Sequence, residues 1–290
     1  MSLERAVQLY LRARRAEFAP QSRRHIRHTL NEIARAIGPT MLVRNLRRRH
    51  VEGWLSTLEV SPATVRNRLS ALRVFCRWCI ISGHLKQDPT LGLHGPKQPA
   101  AMPRELTDDE IVRLLSVLPD ERADVIAILG LVQGLRVGSM AMQLREDIDL
   151  DGRMMLVTRT KGNQQLWLPL LPDTHEAILA YYRTVPGSTG PLLRNLRFPN
   201  RGVTSGHLSI LMSQWMAEAG IKVTPRDGKS SHALRHTRAG TMLDDGADIR
   251  EVQAALGHAS LSSTYIYLRR RQADSALREA MGRRRYREAS

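Results

Sequence analysis

Residues Gly92-Leu93-His94-Gly95-Pro96-Lys97-Gln98-Pro99 cut the chain in two, and the cut dictates what either side can become. Proline and glycine recur there, hydrophobic periodicity is lost, and a fresh helix start follows at Thr107-Asp108-Asp109-Glu110. In that capping box the threonine accepts from a backbone N–H three residues on, and the glutamate returns the favour. Segments separated this way must each bury their own apolar residues, and 290 residues suffice for two cores. The organisation expected is a helical domain over 1–95, a linker over 96–105 and a second domain over 106–290.

Before the cut the pattern is helical throughout. Leu3 to Arg15 and Gln21 to Ile37 carry apolar residues at helical spacing, and His50 to Leu58 is a short amphipathic segment. Ser61-Pro62 is a helix start, with a capping serine and a proline at the first helical position. That helix runs to about Ser82, where Gly83 closes it. After the cut, Ala123 to Gln133 is apolar almost throughout, as a buried core helix would be. One β signal follows. Met154 to Thr160 and Gln165 to Leu170 are extended runs flanking the turn Lys161-Gly162-Asn163. Helices are then predicted at about Asp173 to Arg183, Thr204 to Ala219, Ser231 to Leu243, Ile249 to Leu256 and Arg271 to Arg284. The fold class expected is mainly α, the second domain being mostly helical with a small antiparallel sheet.

A net charge of +16 draws in polyanions. The positive residues are nearly all arginine, since lysine occurs only at positions 86, 97, 161, 222 and 229. Arginine pairs bidentately with phosphate, which points to nucleic acid. A basic surface kept for solubility, or a GC-rich genome, would also raise arginine. Basic residues concentrate on the first domain, in Arg44, Arg47, Arg48 and Arg49 and on the long helix at Arg66, Arg68, Arg73 and Arg77. Such faces suit contact with a phosphate backbone. Cys76 and Cys79 form a C-x-x-C without a second pair, inside an apolar helix, and are expected to pack in a core rather than hold metal. No apolar run reaches the ~18 residues a membrane span needs. The start Met1-Ser2-Leu3-Glu4-Arg5 lacks an apolar signal segment, so a cytoplasmic protein is expected.

Chemistry gathers in Ser231-His232-Ala233-Leu234-Arg235-His236. On a helix His232 and Arg235 project from one face, a pairing that holds a negative oxygen and moves a proton. His232 and His236 have metal-ligand spacing, but Ala233 stands where a zinc hydrolase helix would carry its glutamate. Arg136 follows an apolar helix and a glycine, and so is either buried and paired or turned to a cleft. Tyr267 is a candidate nucleophile. A phenol with an ordinary pKa near ~10 needs nearby cations and donors to lose its proton. Taken singly, each of these residues is as well explained by packing.

In order and spacing, the motifs resemble the tyrosine recombinase (phage integrase) family. Gly134-Leu135-Arg136-Val137-Gly138-Ser139 is similar to its first-arginine motif, and the hairpin around Lys161 to its lysine motif. His232 and Arg235 match its H-x-x-R. Leu256-Gly257-His258 through Tyr267 matches its closing motif, with Tyr265 a neighbour and not the attacker. The first ninety-odd residues resemble the family's SAM-like core-binding domain. The resemblance implies catalytic roles for Arg136, Lys161, His232, Arg235, His258 and Tyr267. It also implies double-stranded DNA as partner, no metal or other cofactor, and a tetramer acting on two sites. Tyr267 would form a 3′-phosphotyrosyl link and Lys161 would protonate the leaving 5′-oxygen. Arg136, Arg235 and His258 would hold the non-bridging oxygens, and His232 would serve Tyr267 as base or donor. A C-terminal exchange helix at about 271–284 would dock on a neighbour. One departure stands out: the family's acid three positions after the first arginine is Ser139 here. The other functions weighed are a DNA-binding protein with a decayed site, a topoisomerase-like strand cleaver and a metal-dependent nuclease.

Overall fold

The computed structural model describes residues 1–18, 20–97, 104–158, 165–224, 227–257 and 267. The chain divides into two compact units, Met1–Ala101 and Met102–Ser290.

The first unit is built from helices α1 (Leu3–Ala13), α2 (Pro20–Ile37), α3 (Arg48–Ser56) and α4 (Pro62–Ile81), with a short 3-10 turn at Val43–Asn45. Ser61 caps α4 by accepting from the Thr64 N–H at 3.3 Å, and Pro62 follows at its first turn. The apolar stripes of α1, α2 and α4 meet around Leu3, Tyr10, Leu30, Ile33, Leu69, Leu72 and Phe75. Tyr10 and Phe75 contact edge to face at 5.6 Å between ring centres. Cys76 and Cys79 are both buried, unbridged members of this core. Burial raises both thiol pKa values, that of Cys79 to about 12.

The second unit opens with α5 (Asp108–Ser116) and α6 (Glu121–Leu131). The capping box at Thr107 and Glu110 forms as the spacing predicts. Helix α6 buries every residue from Ala123 to Leu131 except Asp124. It packs against α8 (Pro172–Thr184) and α10 (Ser231–Asp244). Gly130 is where α6 and α10 approach most tightly: a β-carbon there would lie 2.7 Å from Leu234 Cδ1. A six-residue helix, α7 (Val137–Met142), packs on α9 (Ser205–Glu218), and α11 (Ile249–Leu256) packs on α10.

The antiparallel sheet has three strands, β1 (Ile148–Asp149), β2 (Met154–Thr158) and β3 (Gln165–Pro169), in the order β1-β2-β3. Two were expected. The third is two residues long, too short for any alternating pattern to register. Met155 pairs with Leu168 and Val157 with Leu166, so one apolar face turns inward while Trp167 remains exposed. Gln133, just past α6, donates to the Pro169 carbonyl at 3.0 Å and accepts from the Leu171 N–H at 3.2 Å. It thereby ties the loop that leads to Arg136 to the end of β3. The turn carrying Lys161 and the predicted C-terminal helix lie outside the described residues. Among those described, no helix is long and apolar enough to cross a membrane.

Candidate active site

Two chain reversals and a pair of strands bring the site together. The first is at the end of α6, where Gly134 takes a left-handed conformation, φ +65°. A glycine does this without the clash a β-carbon would make. The reversal lets the Leu135 N–H reach back to the Leu129 carbonyl at 2.8 Å, buries Leu135, and leaves Arg136 extended at the N-cap of α7. The second reversal, at Gly257 (φ +61°), ends α11. The paired strands β2 and β3 supply a further wall. Between them lies a small cleft of about 20 Å³, lined by Arg136, Ser139, Val157, Leu166, Arg235 and Leu256 among others. The cleft sets two arginines beside apolar residues of β2 and β3, a setting in which a charged hydrogen bond gains strength.

Helix α10 carries His232, Arg235 and His236. Ser230 caps it by accepting from the His232 N–H. Arg235 is 5% exposed, and its guanidinium donates to the Gly134 and Leu256 carbonyls, at the two reversals. Thr237 fixes the next turn: its hydroxyl donates to the Ala233 carbonyl at 2.9 Å and accepts from the Leu106 N–H at 2.8 Å. The segment before α5 is thus laid against α10, with half-buried Glu105 beside the site.

Tyr267 is buried, in a small apolar cluster with Ala239, Val252 and Leu256. Its hydroxyl lies 2.5 Å from Nδ1 of His236, with ring centres 5.5 Å apart. Burial raises its pKa to about 12; the Arg235 and Arg136 charges pull against that rise and Glu105 adds to it. His236 moves the other way. Burial, with His232 and Arg235 nearby, lowers its pKa to about 4. The ring is therefore neutral at pH 7, and in its Nε2-protonated tautomer Nδ1 accepts from the phenol. His232 keeps a good part of its surface in solvent, and its ring centre is 6.4 Å from that of His236. Surrounding protein and the Arg136 and Arg235 charges lower its pKa as well.

The structure thus brings Arg136, His232, Arg235 and Tyr267 into one neighbourhood, while Lys161 and His258 lie outside the described residues. Ser139, where the family places an acid, is buried on the cleft wall. Two residues that the sequence did not single out for catalysis join the site. His236 was visible only as a metal-ligand spacing, and Glu105 fell in the expected linker. Among the described residues, no group of three or more His, Cys, Asp or Glu could hold a metal.

In the first unit, Arg44, Arg47, Arg48, Arg66 and Arg77 are exposed. Arg48 pairs with Glu52 at 2.7 Å, and Arg47 donates to the Arg44 carbonyl at 2.7 Å. Arg68 pairs with Glu32 at 2.8 Å, joining α4 to α2, and Arg73 donates to the Leu93 carbonyl.

Comparison with known proteins shows the family. The phage integrase family matches residues 104–274. The tyrosine recombinase XerC of Neisseria meningitidis serogroup C is 34% identical over 223 residues, 73% of this chain and 70% of that protein. The tyrosine recombinase XerA of Thermococcus kodakarensis is 34% identical over 178 residues, 60% of this chain and 61% of that one. Among solved structures, a lambda integrase (75–356) dimer bound to a COC′ core site superposes with a TM-score of 0.76 at 20% identity, covering 91% of this chain and 97% of that one. A lambda integrase tetramer bound to a Holliday junction gives 0.74 at 19%, covering 90% and 78%. A matched region that holds the first arginine, the H-x-x-R helix and the buried tyrosine in one fold places this chain in the phage integrase family, as a tyrosine recombinase, an enzyme of site-specific DNA recombination.

Proposed function

We propose that the enzyme cleaves and rejoins duplex DNA through a covalent bond between Tyr267 and a backbone phosphate. One observation carries this reading: the Tyr267 hydroxyl is held by a ring on the same helix that fixes Arg235 at the cleft shared with Arg136. Tyr267 attacks phosphorus and leaves a 3′-phosphotyrosyl link and a free 5′-hydroxyl. Arg136, Arg235 and His258 stabilise the charge that builds on the non-bridging oxygens, where fixed donors in a dry site act most strongly. Lys161 protonates the departing 5′-oxygen. The link conserves the phosphodiester energy, so a 5′-hydroxyl from a partner duplex reverses the attack and exchanges strands.

The domain roles follow the same reading. Residues 1–95 form the core-binding domain, with exposed Arg44, Arg47, Arg48, Arg66 and Arg77 on phosphates; Arg68 and Arg73 lie beside them and also brace the helices. Residues 106–290 form the catalytic domain. The tetrameric lambda integrase on a Holliday junction supports four protomers acting on two sites, with the C-terminal helix docking on a neighbour through Leu268, Ala276, Leu277 and Met281.

The test is covalent trapping in the host. Protein–DNA adducts are recovered in denaturant, the DNA is digested, and the tyrosines are examined by mass spectrometry. A nucleotide on Tyr267, lost in Tyr267→Phe and retained in Tyr265→Phe, is the expected result. Intact DNA binding with no adduct on any tyrosine would instead favour a decayed site and implicate Ser139. Sequencing the trapped DNA yields the target.

A further inference from the structure

The family resemblance implies His232 as base or donor for the attacking tyrosine, but the ring that meets the phenol is the next histidine on α10. We propose that this residue, His236, is the base: its Nδ1 accepts the Tyr267 proton as the phenolic oxygen bonds to phosphorus. The inference rests on the phosphotyrosyl reading and adds a catalytic residue to it.

Geometry supports it first. A general base must lie within hydrogen-bond reach of the proton it removes. His236 Nδ1 is 2.5 Å from the Tyr267 oxygen. His232, one turn earlier on α10, stands at the solvent-facing end of the same row of rings. Positioning supports it second. The backbone after His236 is pinned through Thr237 to both Ala233 and Leu106, so the ring is held where the phenol meets it. Protonation state supports it third. The groups facing the pair are His232 and Arg235 from α10, Arg136 from the start of α7 and Glu105 from the segment before α5. The cations among them, with burial, keep the ring neutral, and the Nε2-protonated tautomer leaves the Nδ1 lone pair to the phenol. A phosphate seated on Arg136 and Arg235 offsets part of that cationic field. It therefore raises the basicity of the ring when the substrate is in place.

The step balances. The Tyr267 O–H bond breaks and its proton passes to Nδ1. The phenolate electron pair forms the O–P bond, the P–O5′ bond breaks, and the 5′-oxygen takes a proton from Lys161. In rejoining, the imidazolium returns its proton to the departing tyrosine.

The test uses the full chain and a duplex carrying the sequence recovered from the trapped adducts, in single-turnover cleavage. A second duplex carries sulfur at the 5′-bridging position, a leaving group that needs no protonation. Asparagine keeps an acceptor near the Nδ1 position but cannot take a proton. His236→Asn should slow covalent-complex formation by about 100-fold or more on both duplexes, with DNA affinity within about twofold. Added imidazole should partly restore His236→Ala. Loss restored by sulfur would assign His236 to the leaving group and overturn the proposal. Near wild-type cleavage by His236→Asn would reduce the residue to positioning and overturn it equally. Absence of any adduct from wild-type protein would remove the phosphotyrosyl reading itself, and the base with it.

Discussion

Replacing Gly134 with alanine separates two costs that the structure predicts at one position. The residue sits at φ +65°, where a side chain costs roughly 1–2 kcal/mol. The added β-carbon would also lie 2.5 Å from Leu256 Cδ2 and 3.2 Å from Arg238 Cγ. Leu256 is 4% exposed and closes the helix whose last carbonyl receives Arg235, so it has little room to retreat. Overpacking of this kind costs about 1–3 kcal/mol. The sum is about 2–5 kcal/mol. Gly220→Ala is the matched control. It has the same φ of +65°, but its nearest neighbour is Arg113 Nη1 at 3.4 Å, an ordinary contact. It should lose only the backbone share. Guanidinium unfolding of both variants, followed by ellipticity, should place Gly134→Ala about 1–3 kcal/mol below Gly220→Ala. Equal midpoints would refute the packing argument. Folded Gly134→Ala should also form fewer DNA adducts, because the displaced carbonyl is one that orients Arg235.

Other substitutions and conditions test the remaining parts. Arg136→Ala should lower single-turnover cleavage by about 100-fold or more while changing DNA affinity only a few-fold, measured by adduct yield beside a binding isotherm. Acidification should destabilise the second unit in a defined window. The folded pKa of His236 lies below its ordinary 6.5, so its contribution is complete above pH 6.5 and is lost as the pH falls toward about 4. His236→Asn should flatten the stability–pH slope across that window in urea titrations. Cys76 and Cys79 should resist iodoacetamide at pH 8 in the native protein and react once it is unfolded, as peptide mapping would reveal, because burial raises both thiols.

Much of the architecture was legible where the chemistry is local. Ser61-Pro62, the Thr107 capping box and the alternating runs of β2 and β3 each state their structure within a few residues, and each forms as expected. Helix α7 gave no such signal. It is six residues long and starts at Arg136 without a side-chain cap, so position against α9 makes it a helix rather than local preference. The site divides the same way. Arg136, His232, Arg235 and Tyr267 were readable as motifs, while the contact between His236 and Tyr267 joins residues 31 apart. Glu105 was hidden more deeply. Its place depends on the bond from Leu106 to Thr237, across 131 residues, in a stretch whose composition reads as linker.

Arg235 carries one further consequence. Its guanidinium is fastened to the Gly134 carbonyl, in the loop between α6 and α7, and to the Leu256 carbonyl that ends α11, and its donors are oriented by the protein before any ligand arrives. The cation therefore behaves as a coupling rod between that loop and the end of α11. A shift of Leu256, the last residue of α11 before the chain continues to His258 and Tyr267, is also a shift of the charge at the cleft. The position of Leu256 and the orientation of the Arg235 guanidinium are thus one mechanical variable.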